Sequence, residues 1–486
     1  MPTTTAEHKR SLVTPGIYSL LPIRDFLPGA LTAADGVMVR TDGCYVAGFH
    51  LGGSLTYFGD DAAMNEMKAR VEALLRTVPE ESMRVQFRYE VVENANGLID
   101  RYEVLQRTES DVARRMDAIR IEGWRKEEEH SEFLTRLAAV YFIWDPALHE
   151  RLNRTTTSVL ASHKDDSRAQ AAQPVEFEPS GSFTGAIKRF FKKTAAPVSA
   201  ESQAQIGKKK HLSIVTQFES FLRGIESSLK TAGLNPSRMA ADEFFAEVSR
   251  ALSPNPISRR DFRSPNYLDT RPLTAREQLG SVSILDETED YLNIDGYLYG
   301  CITMKVPPEA TFPGIIRELL TCGFPLTISV HVVIPNQQKV IEKYKSRYKK
   351  MQAAQLDKDG NHKVDVGAAV QARELLEIQE RLISGSCKTT QVSFSITYRT
   401  SRPATTSKEY EQAERQLASF RQQLLQVIAR RNGANALAET LAKRRIFLVH
   451  CPVLPRVIVV KWTCSANTPP IWCRWRCRGA ECSASR

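Results

Sequence analysis

No stretch of about eighteen consecutive apolar residues occurs in the sequence, so no helical membrane span is expected. A secretory leader is missing as well: Met1–Arg10 is polar, and no apolar core of leader length follows it. A cytoplasmic location is the expectation. Cysteine is sparse over the first 450 residues, where Cys44, Cys301, Cys322 and Cys387 stand singly, as in a reducing compartment. The sequon at Asn153-Arg154-Thr155 has no meaning there.

A phosphate-gripping loop is also lacking. Nucleotide hydrolysis on a P-loop needs G-x-x-x-x-G-K-[ST] between a strand and a helix, so that backbone amides cradle the phosphates and the lysine reaches the terminal ones. The nearest approach is Ser384-Gly385-Ser386-Cys387-Lys388-Thr389. It has Cys387 where the second glycine belongs, and it precedes a strand. Ser281–Glu287 looks like a strand ending in a magnesium-binding acid but has no phosphate loop upstream. No dinucleotide fingerprint, metalloprotease helix or serine elbow occurs, and the nine histidines pair with no evident nucleophile. Cys44, beside Gly43 in a predicted hairpin, is expected to pack rather than react. The doublets Asp60-Asp61 and Glu80-Glu81 stand at helix termini, where they offset the helix dipole or cap it. No catalytic, cofactor-binding or metal-ligating residue is assigned, and the chain alone is not expected to be a self-sufficient enzyme.

The chain has 486 residues, 42% apolar and 25% charged, which fits two or three globular domains at about 100–200 residues each. Its net charge is +10. Half of that lies between Cys451 and Arg486, where Arg456, Lys461, Arg474, Arg476, Arg478 and Arg486 face only Glu481. A second basic cluster comprises Lys188, Arg189, Lys192, Lys193 and Lys208–Lys210. Such runs can meet phosphates but are more often a solvated surface. The remaining cysteines, Cys451, Cys464, Cys473, Cys477 and Cys482, crowd the same tail. Cys473, Cys477 and Cys482 have near zinc-ligand spacing, with Cys464 as a fourth, but no histidine or fold pattern accompanies them. A shift of reading frame near Leu448–Cys451 explains this composition more simply.

Periodicity places the elements. Val37 and Val39, the turn Thr41-Asp42-Gly43, and alternating Tyr45, Ala47, Phe49 and Leu51 predict a hairpin. Met64, Met67, Val71, Leu74 and Val78 predict a helix. Met83–Val91 alternates as a half-buried strand. A charged helix over 110–136 and a strand over 138–144 follow. Residues 212–252 read as helices, interrupted at Gly233 and Pro236. The order then recurs: a hairpin about Asp295-Gly296, a helix at Ile315–Leu320, and a strand at Leu326–Ile334. Two helices broken at Asp357–Asn361 form a projecting hairpin, followed by a strand (Val392–Tyr398) and a helix (Tyr410–Ile428).

The expected fold is α+β: two quasi-repeated β-hairpin–helix–strand units with long covering helices and a helical hairpin. Expected boundaries are a first unit at 20–161, a flexible basic linker at 162–211, a helical segment at 212–270, a second unit at 271–445, and a non-native-looking tail at 446–486. Within the linker, Ile187, Phe190 and Phe191 among basic residues could touch a membrane surface but more commonly dock on their own protein.

The stretch Asp35–Gly53, with the strand near 83–92, the helices from Phe218 to Leu252 and the segment Gly385–Tyr398, resembles the N-terminal region of the CagE/TrbE/VirB family of type IV secretion and conjugation ATPases. The similarity covers most of residues 20–445 through diffuse patterns rather than fixed motifs. It implies an assembly and docking region at the cytoplasmic, inner-membrane base of a conjugation channel. It also implies inner-membrane channel components as partners and a homo-oligomer. ATP and magnesium belong, by the same resemblance, to a motor domain expected to be missing here, so no cofactor is expected in this chain. The alternative reading is a basic nucleic-acid-binding protein using Lys188–Lys210 and the tail. Neither cluster is interleaved with a stacking platform.

Overall fold

The computed structural model describes residues 23–27, 36–52, 61–93, 98–105, 110–129, 134–153, 200–252, 279, 285–308, 315–354, 366–385, 387–431, 433–450 and 462–465. The strands are β1 (Ile23–Leu27), β2 (Val37–Arg40), β3 (Tyr45–Leu51), β4 (Met83–Val92), β5 (Thr135–Trp144), β6 (Pro236–Arg238), β7 (Leu285–Glu287), β8 (Leu292–Ile294), β9 (Tyr297–Val306), β10 (Leu326–Val333), β11 (Thr389–Arg399), β12 (Asn435–Ala438) and β13 (Trp462–Ser465). They join in one mixed α/β architecture around a single antiparallel sheet in the order β1-β2-β3-β5-β4-β10-β11-β9-β8-β7, with β6 on β3, β12 on β9 and β13 on β11. The central rung is the antiparallel pair β4·β10, with Phe87 opposite Val330 and Arg88 opposite Ser329.

Both predicted hairpins form. At the first, the loop Thr41–Gly43 closes with Arg40 N donating to the Cys44 carbonyl at 2.9 Å, and Gly43 takes φ +82°. At the second, Asp295 (φ +49°) and Gly296 (φ +88°) both lie in the left-handed region, the pattern of a type I′ turn. A Cβ on Gly296 would stand 2.9 Å from the Ala404 carbonyl, so close approach as well as φ requires glycine there.

Alternation along the strands separates two faces. On one face, Phe49, Val85, Phe142 and Trp144 pack under α4 (Ala200–Thr231) through Phe218, Leu222 and Leu229, and under α1 (Asp61–Thr77) through Leu74. Trp144 and Phe218 stack with centroids 5.5 Å apart. On the same face of the second half, Ile302, Ile328 and Ile396 pack under α9 (Ser407–Ala429) through Leu417, Leu424 and Ile428. The opposite face buries Val46, Tyr141, Tyr299 and Cys301 beneath α5 (Ala241–Leu252) and α10 (Lys443–His450), by Phe244, Val248, Ile446 and Phe447.

Several elements differ from the expectations raised by periodicity. The charged helix at 110–136 is α3 (Asp111–Glu129), preceded by an unforeseen helix α2 (Leu98–Leu105), and its C-terminal end gives way to β5. The helix expected at 315–320 is only the short α6 (Arg317–Leu320). Helix α4 begins at Ala200, twelve residues before the predicted start: Ala200–Lys210 contains no proline, and its single glycine, Gly207, costs only about 1 kcal/mol within a long helix. The tail contributes a strand: β13 pairs with β11, Cys464 standing opposite Thr390. Ile187, Phe190, Phe191, Lys188–Lys193, and Cys473, Cys477 and Cys482 lie outside the described residues. The helical hairpin forms as α7 (Gln337–Ala354) and α8 (Val366–Ile383).

Candidate functional site: a buried charge cluster and two projecting arms

The centre of the α5/α10 face is polar. From β4 come Gln86, Arg88 and Glu90, from β10 Ser329 and His331, and from β11 Ser393, Ser395 and Thr397, all buried. Arg88 and Glu90 occupy alternate positions of one strand and therefore share a face. Arg88 donates to Glu90 at 2.9 Å and to Glu247 of α5 at 3.2 Å. Arg250, one helical turn beyond Glu247, pairs with Glu247 and reaches Glu90 at 3.4 Å. Two guanidiniums and two carboxylates thus form a closed ring locking α5 to the central strand. Burial opposes ionisation of Glu90, but Arg88 and Arg250 together hold its carboxyl below the usual range. For Arg250, burial is outweighed by Glu90 and Glu247, which strengthen its hold on the proton.

Beside the ring is a cavity of about 300 Å³ whose lining includes Arg88, Arg250, Tyr299, Tyr398, Arg399 and His450. Arg399 pairs with Glu93 at 3.0 Å and lies 5.4 Å from the centroid of the Tyr297 ring. Burial drives the His450 pKa well below its ordinary value, with His331 and Arg88 adding to the effect. Both of its ring nitrogens lack a hydrogen-bond partner among the described residues, as do the hydroxyls of Tyr141 and Ser395. Burial raises Tyr141 and Tyr398. Every carboxylate in the ring is neutralised by a guanidinium, so the cluster fixes geometry and fills a polar interior.

Among the described residues, those weighed for chemistry in the sequence do not converge in space. Cys44 is buried, and burial aided by Asp42 pushes its thiol up to about 12, which makes it a packing residue. The P-loop-like segment is the turn from α8 into β11. Its Lys388 donates to the Arg76 carbonyl at 2.9 Å and stands 3.7 Å from Glu80. Glu80 caps a helix, though a distant one: its carboxylate accepts from Gln337 N at 3.1 Å, at the start of α7. Glu287, the acid at the end of its strand, pairs with Arg444 at 2.8 Å. The buried ring escapes sequence reasoning because Arg84, Gln86, Arg88 and Glu90 look like the solvent side of a half-buried strand. Their only sequence signal is strict alternation.

Two helical hairpins project from the sheet. The first, α2–α3, leaves the C-terminal end of β4 and returns to β5. Its small interior is its own: Ile99 and Ile121 with Tyr102 and Trp124, whose rings meet edge-on at 5.1 Å. The second, α7–α8, leaves the C-terminal end of β10 and returns to β11. It is anchored by Val340, Ile341, Tyr344, Ile378 and Leu382 and closed at its base by Gln337, which donates to the Thr389 carbonyl at 3.1 Å and accepts from Thr389 N at 2.9 Å. Because β4 and β10 are antiparallel neighbours, with Val91 opposite Leu326 and Arg84 opposite Val333, the hairpins emerge at opposite ends of the sheet. Their surfaces differ. Helix α7 carries Lys339, Lys343, Lys345, Arg347, Lys349 and Lys350 against Glu342 alone, whereas α3 exposes Val112, Met116 and Ile119.

Among the described residues no helix is long and apolar enough to cross a membrane, and no group of three or more His, Cys, Asp or Glu side chains could hold a metal ion. No curated protein matches the chain. A family model described as TraC protein matches residues 195–442, slightly more than half of the sequence, from the start of α4 through α9 and β12. The match spans helices and strands that already resembled those of conjugation proteins, and the chain belongs to the TraC protein family of type IV conjugal transfer.

Proposed function

We propose that this chain is an assembly and docking region of a type IV conjugal transfer ATPase, a scaffold that grips neighbouring channel proteins and does not itself grip nucleotide. The observation carrying this reading is the pair of helical arms held at opposite ends of one continuous sheet, each with its own surface chemistry. A rigid scaffold holding projecting elements in fixed positions presents defined recognition surfaces. The segment closest to a phosphate loop is a helix-to-strand turn with its lysine already engaged, which agrees with a role outside hydrolysis. Its partners are inner-membrane components of the channel, and through them it stays peripheral to the membrane. Basic α7 suits an acidic partner surface.

The quasi-repeat belongs to the same proposal. The succession hairpin, helix, strand, helical arm, strand, long helix, short edge strand and covering helix runs through β2–α5 and again through β8–α10. The strand orders 2-3-5-4 and 8-9-11-10 meet at β4·β10, as two copies related by an approximate two-fold axis would.

Co-purification from membranes that contain the channel tests the role. Tagged chain should recover inner-membrane channel proteins, and a variant with Lys345, Lys349 and Lys350 replaced by Glu should recover less. Calorimetry should detect no ATP binding by the purified chain. Recovery of no membrane component, or tight nucleotide binding, would overturn the proposal.

A further inference from the structure

Helix α3 exposes an apolar line that its own fold leaves uncovered. Val112, Met116 and Ile119 are 69%, 60% and 72% exposed, and their spacing of four and three continues to Gly123, where an added Cβ would meet nothing within 4 Å. That is the a/d spacing of a helix-pairing seam, on a helix of 19 residues, roughly 28 Å long. The line faces away from the arm's interior, since Ile121 and Trp124 point into the α2–α3 contact. Val104 of α2, 84% exposed, is another large apolar side chain that this arm leaves to solvent.

The charges beside the line select the occupant. Arg115 and Glu122 lie on the same flank, seven residues apart, and are the positions next to Met116 and Gly123. When two such helices run antiparallel with Met116 of one against Ile119 of the other, Val112 faces Gly123, whose missing side chain leaves room for it. In that register Arg115 of each helix falls beside Glu122 of the other, twice, once on each side of the two-fold axis. A parallel pair would instead set Arg115 of one helix beside Arg120 of the other, like charge against like. Within one chain Glu122 pairs with Lys126, at 2.8 Å on the exposed surface, a contact weak enough to exchange. Arg120 on the other flank is turned inward, donating to the Tyr102 hydroxyl at 2.7 Å and to Asp117 at 3.1 Å, and so does not oppose its symmetry mate.

We infer that α3 is a self-association surface: it forms an antiparallel, two-fold pair with α3 of a second copy, with Val112, Met116, Ile119 and Gly123 in the seam and reciprocal Arg115–Glu122 contacts beside it. The contact area of one helix pair is small, so the dimer is concentration-dependent rather than permanent. The pairing does not depend on the channel-docking role proposed above.

Sedimentation velocity of the full chain across a concentration series up to about 100 µM, where an interface of this size should be populated, reads the outcome. The wild type is expected to shift from monomer to dimer, and Met116→Glu, an exposed position whose change leaves the fold intact by circular dichroism, to remain monomeric. Arg115→Glu and Glu122→Arg should each weaken the dimer by about tenfold through like-charge apposition, and the double exchange should restore it. The inference is overturned by a wild type that stays monomeric over the whole range. It is equally overturned by an oligomer that Met116→Glu leaves unchanged, or by a double exchange no better than the single ones.

Discussion

At the scale of single residues, the ring of Arg88, Glu90, Glu247 and Arg250 concentrates the electrostatic stake of the molecule. Replacing Glu247 by Gln keeps volume but leaves the two guanidiniums sharing one carboxylate in a buried setting. Breaking a buried pair this way costs about 3–5 kcal/mol, whereas replacing the whole ring by apolar side chains would cost far less. Urea unfolding should show that loss for Glu247→Gln, and a change below about 1 kcal/mol would mean that water reaches the ring. Acid acts at the same place. Glu90 is held below its ordinary value of 4.5, so its contribution is present above that pH and lost as pH falls through the lower folded-state value. His450 is held well below 6.5, so the unfolded chain takes up a proton that the fold refuses, and stability falls as pH drops through about 6.5. Both effects have one sign. Little of this was legible in the sequence: alternation in Arg84–Glu90 identifies a shared face, but what covers that face, α5 and α10, lies 150 residues and more away along the chain.

At the scale of elements, legibility followed local signals. The turn residues Asp42-Gly43 and Asp295-Gly296 positioned both hairpins, and the stripes of α1 and α9 are readable by period alone. Helix α9 adds a capping box. The Thr406 hydroxyl accepts from Glu409 N, and the Glu409 carboxylate accepts from Thr406 N at 3.0 Å. Thr406→Ala should therefore cost about 1 kcal/mol, seen as a lower thermal midpoint, while Thr406→Ser should be near neutral. The elements that escaped are short edge strands such as β6 and β12, of three and four residues, which exist because a neighbouring strand offers them an edge. No periodicity accumulates over so few residues. Helix α2 escaped for a related reason: in eight residues its stripe is no longer than Ile99 and Tyr102, which pack against α3.

At the scale of the molecule, the sequence suggested two units and left their relation open. The β4·β10 ladder makes them one sheet, because strands that end each half's own pairing order find their remaining edge in one another. Native-state hydrogen exchange should accordingly find the slowest amides in β4, β5, β10 and β11, and faster exchange at β1, β7 and the arms. Faster exchange at β4·β10 than within either half would mean that the halves open independently. The distribution of polar residues agrees with a single body: the buried ring and its cavity sit where the two halves adjoin, lined from β4 and α5 on one side and from β9, β11 and α10 on the other.

The placement of the arms has a mechanical consequence. Tension applied between a partner on α2–α3 and another on α7–α8 would draw β4 and β10 past each other lengthwise. Their shared ladder would then bear the load in shear, every rung at once, and not peel open from one edge.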